Sequence, residues 1–129
     1  MKAFSTATSA IPSEITMMNF NELPEFSKEC KRLAKKYKSL SSDLREFRSV
    51  VSVVPLGNSK HFNIVSQTDS VKIIKARLFC RYLKGSSLRV IYAYIEKRKK
   101  IDFIEMYFKG NRKNEDRERI KQYLKSVDF

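Results

Sequence analysis

The sequence predicts one α+β domain: an N-terminal helical hairpin, an antiparallel sheet of three to four strands, and a C-terminal helix. Three observations predict it. Apolar residues recur at spacings of three and four from Phe26 to Leu40, and again from Leu44 to Val54, the period of helices that each bury one stripe. From Val71 the period changes to two, through β-branched and aromatic runs joined by short polar turns, the pattern of an antiparallel meander. The chain has 129 residues, 42% hydrophobic and 12% aromatic. That is enough for a single core burying roughly two-thirds of the unfolded chain's surface.

Residues 1–21 are rich in Ser, Thr, Ala and Met and show no periodicity. Residues 1–18 are therefore expected to form a flexible extension, and residues 19–129 the domain. Pro24 suits the first turn of a helix, where its missing N–H costs nothing, and Glu25 suits the positive end of the dipole. Phe26, Cys30, Leu33, Tyr37 and Leu40 form that helix's apolar stripe, and Lys28, Lys31, Arg32, Lys35, Lys36 and Lys38 its solvated face. Ser41, Ser42 and Asp43 offer N-caps for a second helix, with Leu44, Phe47, Val50 or Val51, and Val54 facing inward and Pro55 as its stop. Residues 56–70 form a loop with a short strand over 62–66.

The three main strands cover residues 71–83, 88–95 and 101–108, with turns at 84–87 and 96–100. In the first, Ile74, Ala76, Leu78 and Cys80 share one face, and Lys75, Arg77, Phe79 and Arg81 the other. Asn114 is the expected cap of the last helix, with Glu115 and Asp116 in its first turn and Ile120, Tyr123 and Leu124 inward. The helices are expected on one face of the sheet, leaving the other open.

Charge points to function. Twenty-seven Lys and Arg stand against fourteen Asp and Glu, a net charge of +13. Residues 71–113 carry thirteen of the cations and three of the anions, a net of +10. Charge clustered in this way marks a footprint for a polyanion. No apolar run approaches the roughly 20 residues of a membrane span, so no membrane partner is expected and the location is expected to be cytoplasmic. Cys30 and Cys80 are expected to be buried, reduced thiols. No zinc-type spacing, P-loop, GxGxxG or Ser-His-Asp set is present, so no metal or cofactor is expected. His61, the only histidine, lies near a turn and is expected to be a surface residue rather than a catalyst.

Lys75, Arg77 and Arg81 on one strand face, joined by Arg89 from the next strand, place four mutually repelling cations together. An anion among them relieves that repulsion, and phosphate is the group Arg and Lys clamp best. Phe79, Tyr92, Tyr94 and Tyr107 are candidates to stack on bases. RNA carries its own nucleophile, the 2′-hydroxyl, so cations that orient it and stabilise charge on the scissile phosphate suffice for cleavage.

From Asn19 to Leu124 the chain resembles the RelE/ParE superfamily of bacterial and archaeal toxins. The resemblance rests on the segments LPEFSKECKRLAKKYKSL, Asp43-Leu44, PLG at 55–57, KARL at 75–78, LRVIY at 88–92, FIEMYFK at 103–109 and NEDRERI at 114–120. It implies a small cytosolic toxin held by a cognate antitoxin in a hetero-oligomer. It also implies an mRNA endonuclease that works on the ribosome without a metal and leaves a 2′,3′-cyclic phosphate. By that resemblance Lys75 and Arg77 match the basic positions of the first main strand. Arg89 matches the arginine near the scissile phosphate, and Lys109 a basic or histidine position after the third strand. These four are the candidate catalytic residues. Arg81, Tyr107, Arg112 and Lys113 are the candidate RNA contacts. Lys109 is the first candidate general base and Tyr107 the second; Glu105 is expected in a salt bridge. The last helix has Asp116 and Arg117 where some RelE-like nucleases place a catalytic tyrosine. Two alternatives accompany this reading, a ParE-like poison of DNA gyrase and a non-catalytic RNA- or ribosome-binding module.

Overall fold

The computed structural model describes residues 18–57 and 60–127. In chain order the elements are β1 (Asn19–Glu22), α1 (Pro24–Lys36), α2 (Leu40–Val53), β2 (Phe62–Gln67), β3 (Lys72–Cys80), β4 (Gly85–Ile95), β5 (Lys100–Phe108) and α3 (Arg117–Ser126). One five-stranded sheet runs β1-β5-β4-β3-β2. Strands β2 to β5 pair antiparallel, and β1 pairs parallel with β5. Among the described residues no helix is long and apolar enough to cross a membrane.

The sheet therefore has one strand more than the three to four expected. Strand β1 begins in the stretch that shows no periodicity and was not expected as a strand. Its four residues, NFNE, carry a single apolar side chain, too little to show a period. Phe20 holds it in place: the ring stacks on Phe103 at 5.8 Å, and Arg48 of α2 covers both rings while pairing with Glu22. Met18 also packs against the core. The remainder of the expected extension, residues 1–17, lies outside the described residues.

Helices α1 and α2 pack on one face of the sheet. Phe26, Leu33, Leu40, Phe47 and Val51 meet Ile74, Ala76, Leu78, Leu88, Val90, Tyr92, Ile101, Phe103 and Met106. Phe103 is the hub, in ring contact with Phe20, Phe26, Phe47 and Tyr92. Leu40 opens α2 rather than closing α1. Asp43 is no cap: it is buried, accepts from Ser39 Oγ at 2.6 Å and the Arg81 backbone N–H at 3.1 Å, and pairs with Arg81 Nε at 3.2 Å.

The opposite face is not open along its whole length. Helix α3 lies over one end of it, where Ile120 and Tyr123 cover Ile73, Ile91, Ala93, Ile95 and Ile104. The Tyr123 hydroxyl donates to Asp102 at 2.6 Å. Asp116, not Asn114, caps this helix, accepting from the Arg119 N–H at 3.0 Å. A bulge on β5 opposite Ile91 places Ile104 and Glu105 on the same face, since two residues there oppose one.

The outer edge of β5 extends past β1, and two side chains cover it. Glu29 of α1 accepts from the Met106 N–H at 3.1 Å, and Arg119 of α3 donates to the Ile104 carbonyl at 2.9 Å. The two close on each other through contacts of 3.0 and 2.8 Å, so a charged pair blunts a strand edge that is otherwise ready to pair.

Gly57 adopts φ +72, and a Cβ there would lie 2.1 Å from Cγ of Phe62, whose ring stacks on Phe47 at 6.1 Å. Both the left-handed backbone and the ring demand glycine. Gly57→Ala is expected to cost at least about 1–2 kcal/mol in urea unfolding; an unchanged midpoint would show that the ring gives way freely.

Both thiols are free, Cys80 fully buried and Cys30 half-buried. Burial, with Glu22 nearby, pushes the Cys30 thiol up to about 12.

Candidate functional site

The part of the second sheet face left uncovered by α3 carries the cations. Strand register sets them out in rows. Arg77 of β3 lies directly opposite Arg89 of β4, and Arg89 opposite Tyr107 of β5. On the other side, the Arg77 N–H donates to the His61 carbonyl at 3.0 Å, bringing His61 into the same row. The next row toward α3 runs Asn63, Lys75, Ile91, Glu105. A polar cavity of about 220 Å³ opens over these rows, lined by His61, Asn63, Lys75, Ala76, Arg77, Arg89, Lys109, Lys113 and Asn114.

All four expected catalytic residues, Lys75, Arg77, Arg89 and Lys109, thus line one cavity, together with the expected contact Lys113. The other three expected RNA contacts are placed elsewhere. Arg81 is a correction: the strand ends at Cys80, and Arg81–Leu83 form a 3-10 turn that breaks the two-residue period. Its side chain turns to the helical side, against Asp43, Ser42 and Glu46. Tyr107 is only 3% exposed, and Arg112 lies over its ring at 5.4 Å. Burial pushes the phenol's pKa up, against a weaker downward pull from Lys75. Arg112 itself contacts the buried Glu105 carboxylate at 2.8 Å, an ion contact without hydrogen-bond alignment. The salt bridge expected of Glu105 is therefore present.

His61, Asn63 and Asn114 are in the cavity but were not expected there. The signal for the first two was available. Phe62 and Ile64 alternate with His61 and Asn63, so a strand at this position must turn the polar pair to the face opposite Phe62.

The electrostatics of the cavity are dominated by its cations. Arg89 is buried, and burial lowers its pKa, with the facing Arg77 lowering it further. Its guanidinium donates to the Leu88 carbonyl at 3.2 Å. Among the described residues, Arg77 and Lys109 have no carboxylate partner. Lys75 does: its ammonium donates to Glu115 Oε1 at 3.0 Å, and Glu115 also pairs with Arg117 at 3.1 Å. Burial raises the Glu115 pKa, but its own backbone N–H and Lys75 outweigh that and bring it below the usual carboxylate range. Glu115 therefore fixes Lys75 at the cavity wall and neutralises part of its charge.

Beneath the cavity, Glu105 accepts from the Asp116 N–H at 2.8 Å. Burial raises its pKa, a shift that this N–H, Arg112 and Arg119 reduce without cancelling. A carboxylate raised in the folded state stabilises the fold most below its unfolded pKa, and that contribution is lost as pH rises through the folded pKa. Wild type is therefore expected to lose stability relative to Glu105→Gln as pH rises above the usual carboxylate range, as paired urea titrations would show. A constant difference would place the Glu105 pKa at its ordinary value.

No protein-family model and no curated relative matches the chain. Among solved structures it is similar to a chain in the crystal structure of the archaeal RelE–RelB complex from Pyrococcus horikoshii OT3. The two are 22% identical with a TM-score of 0.56, over 71% of this chain and 94% of that one. The fold is therefore RelE-like.

Proposed function

We propose that this RelE-like chain is the toxin of a toxin–antitoxin pair and that it cleaves mRNA on the ribosome. The observation that carries the proposal is the convergence of Arg77, Arg89, Lys75 and Lys109 on one small polar cavity. Two arginines in direct register on a sheet repel each other, and the phosphate of a bound strand turns that repulsion into attraction.

The chemistry follows from the lining. The RNA 2′-hydroxyl gives up its proton and attacks the adjacent phosphorus. The bond from phosphorus to the 5′-oxygen breaks, and that oxygen takes a proton, leaving a 2′,3′-cyclic phosphate and a 5′-hydroxyl. Arg77 and Arg89 face the extra negative charge that builds on the non-bridging oxygens, where preorganised donors act most strongly. Lys75, held by Glu115, positions the strand. Lys109 and His61 line the cavity and serve as the proton-handling pair. The partner is an antitoxin with an acidic binding segment, whose association is fast and salt-sensitive; the similar archaeal chain was itself crystallised in a RelE–RelB complex.

The test is an mRNA carrying a single 2′-deoxynucleotide at the cut position, presented on a programmed ribosome. Cleavage is expected to stop at that position and to leave cyclic phosphate ends elsewhere. Cutting that continues past the deoxynucleotide would contradict attack by the 2′-hydroxyl.

A further inference from the structure

We propose that Phe79 is the platform on which a nucleobase next to the bound phosphate stacks. This inference rests on the RNA reading of the cavity and adds a base contact to it.

Phe79 follows Arg77 by two residues on β3, and the burial alternation of the strand persists through it, with Leu78 and Cys80 inward and Arg77 and Phe79 outward. The ring therefore stands on the cavity's face, about 7 Å along the strand from Arg77. It is 57% exposed. The other large exposed aromatic, Tyr82, leans on Tyr37 at 6.4 Å; Phe79 has no ring partner among the described residues. Across from it the pairing of β3 with β4 is irregular between Leu78 and Cys80, and the ring stays exposed there. Beyond, the Lys109 N–H donates to the Ser87 carbonyl at 2.8 Å. Phe79 on β3 and, across β4, Lys109 thus border the Arg77–Arg89 row.

An exposed phenylalanine in a protein interface is ordinarily ringed by other apolar groups. This one borders a cavity lined by arginines and lysines. An aromatic face beside a phosphate-binding groove is the arrangement that holds single-stranded nucleic acid, because every base has a π-face and every linkage a charge. The base is held by its face, so the contact tolerates any sequence.

The chain contains no tryptophan, so Phe79→Trp introduces a single fluorophore at the platform. It is titrated with a short oligomer carrying 2′-deoxynucleotides at every cleavable position, and with an abasic sugar–phosphate chain of the same length. The base-bearing oligomer is expected to quench the tryptophan, and to bind wild type roughly tenfold or more tightly than the abasic chain. Phe79→Ala is expected to erase that difference while leaving abasic binding unchanged. Because the side chain is exposed, the substitution leaves the fold intact. Equal binding of both oligomers with no quenching, weakened alike by Arg89→Gln, would overturn the platform and leave the phosphate site standing. Binding of neither oligomer would overturn the platform and the RNA reading together.

Discussion

Arg89→Gln is expected to lower mRNA cleavage by roughly 10²–10³-fold while leaving the protein at least as stable as wild type. Both halves follow from one geometric fact: Arg89 lies directly opposite Arg77 in the β3–β4 register and is only 7% exposed. Two like charges in that position cost roughly 0.2–1 kcal/mol, and burial of Arg89 adds to it. Glutamine keeps a polar side chain at the position and removes the repulsion with Arg77. The cavity loses its most buried cation, the one for which desolvation would most strengthen an interaction with a phosphate oxygen. Single-turnover cleavage and urea midpoints on the same preparation check the two halves. A variant that is markedly less stable would identify Arg89 as a structural cation, and full activity would remove it from the site.

The largest effect on stability is expected at a residue outside the cavity lining. Arg119→Ala should cost about 3–5 kcal/mol, the range for breaking one partner out of a buried pair. Arg119 and Glu29 side chains are 17% and 11% exposed. Truncation leaves the Glu29 carboxylate uncompensated, frees the Ile104 carbonyl and uncovers the β5 edge. It also cuts the one charged tie between α1 and α3, which otherwise lie on opposite faces of the sheet. The pair as a whole is worth less than either truncation suggests, because both charges were desolvated to form it. Replacing Glu29 and Arg119 together by methionine is therefore expected to cost much less than the sum of the single changes, and a double-mutant cycle measures the difference. A loss under about 1 kcal/mol for Arg119→Ala would mean that the pair behaves as a solvated one.

The strict alternation from Ile74 to Cys80 made β3 legible, and with it the face shared by Lys75 and Arg77. Arg81 was misplaced because alternation was carried one residue beyond the strand, into a turn whose geometry depends on Asp43, 38 residues away. Strand β1 was missed because its reason lies in Phe103 and Arg48, not in its own four residues. The cover provided by α3 left a sign: at Ile73-Ile74 and from Val90 to Ala93 the chain is apolar on both faces, which a half-open sheet does not explain. His61 is exposed, as a lone histidine near a turn is expected to be; that it lines the cavity depends on the strand beside it. The β5 bulge that turns Glu105 under the site has no local marker at all. Pairing and register decide these features, and they are properties of the assembled sheet.

The most direct measurement is primer extension on a reporter mRNA with translating ribosomes, comparing wild type with Arg89→Gln. Cuts within translated codons that disappear in the variant are expected. Growth arrest by wild type with no cuts would contradict the nuclease and favour a gyrase poison on the same fold. Neither cuts nor arrest would leave a basic sheet that binds RNA without cleaving it.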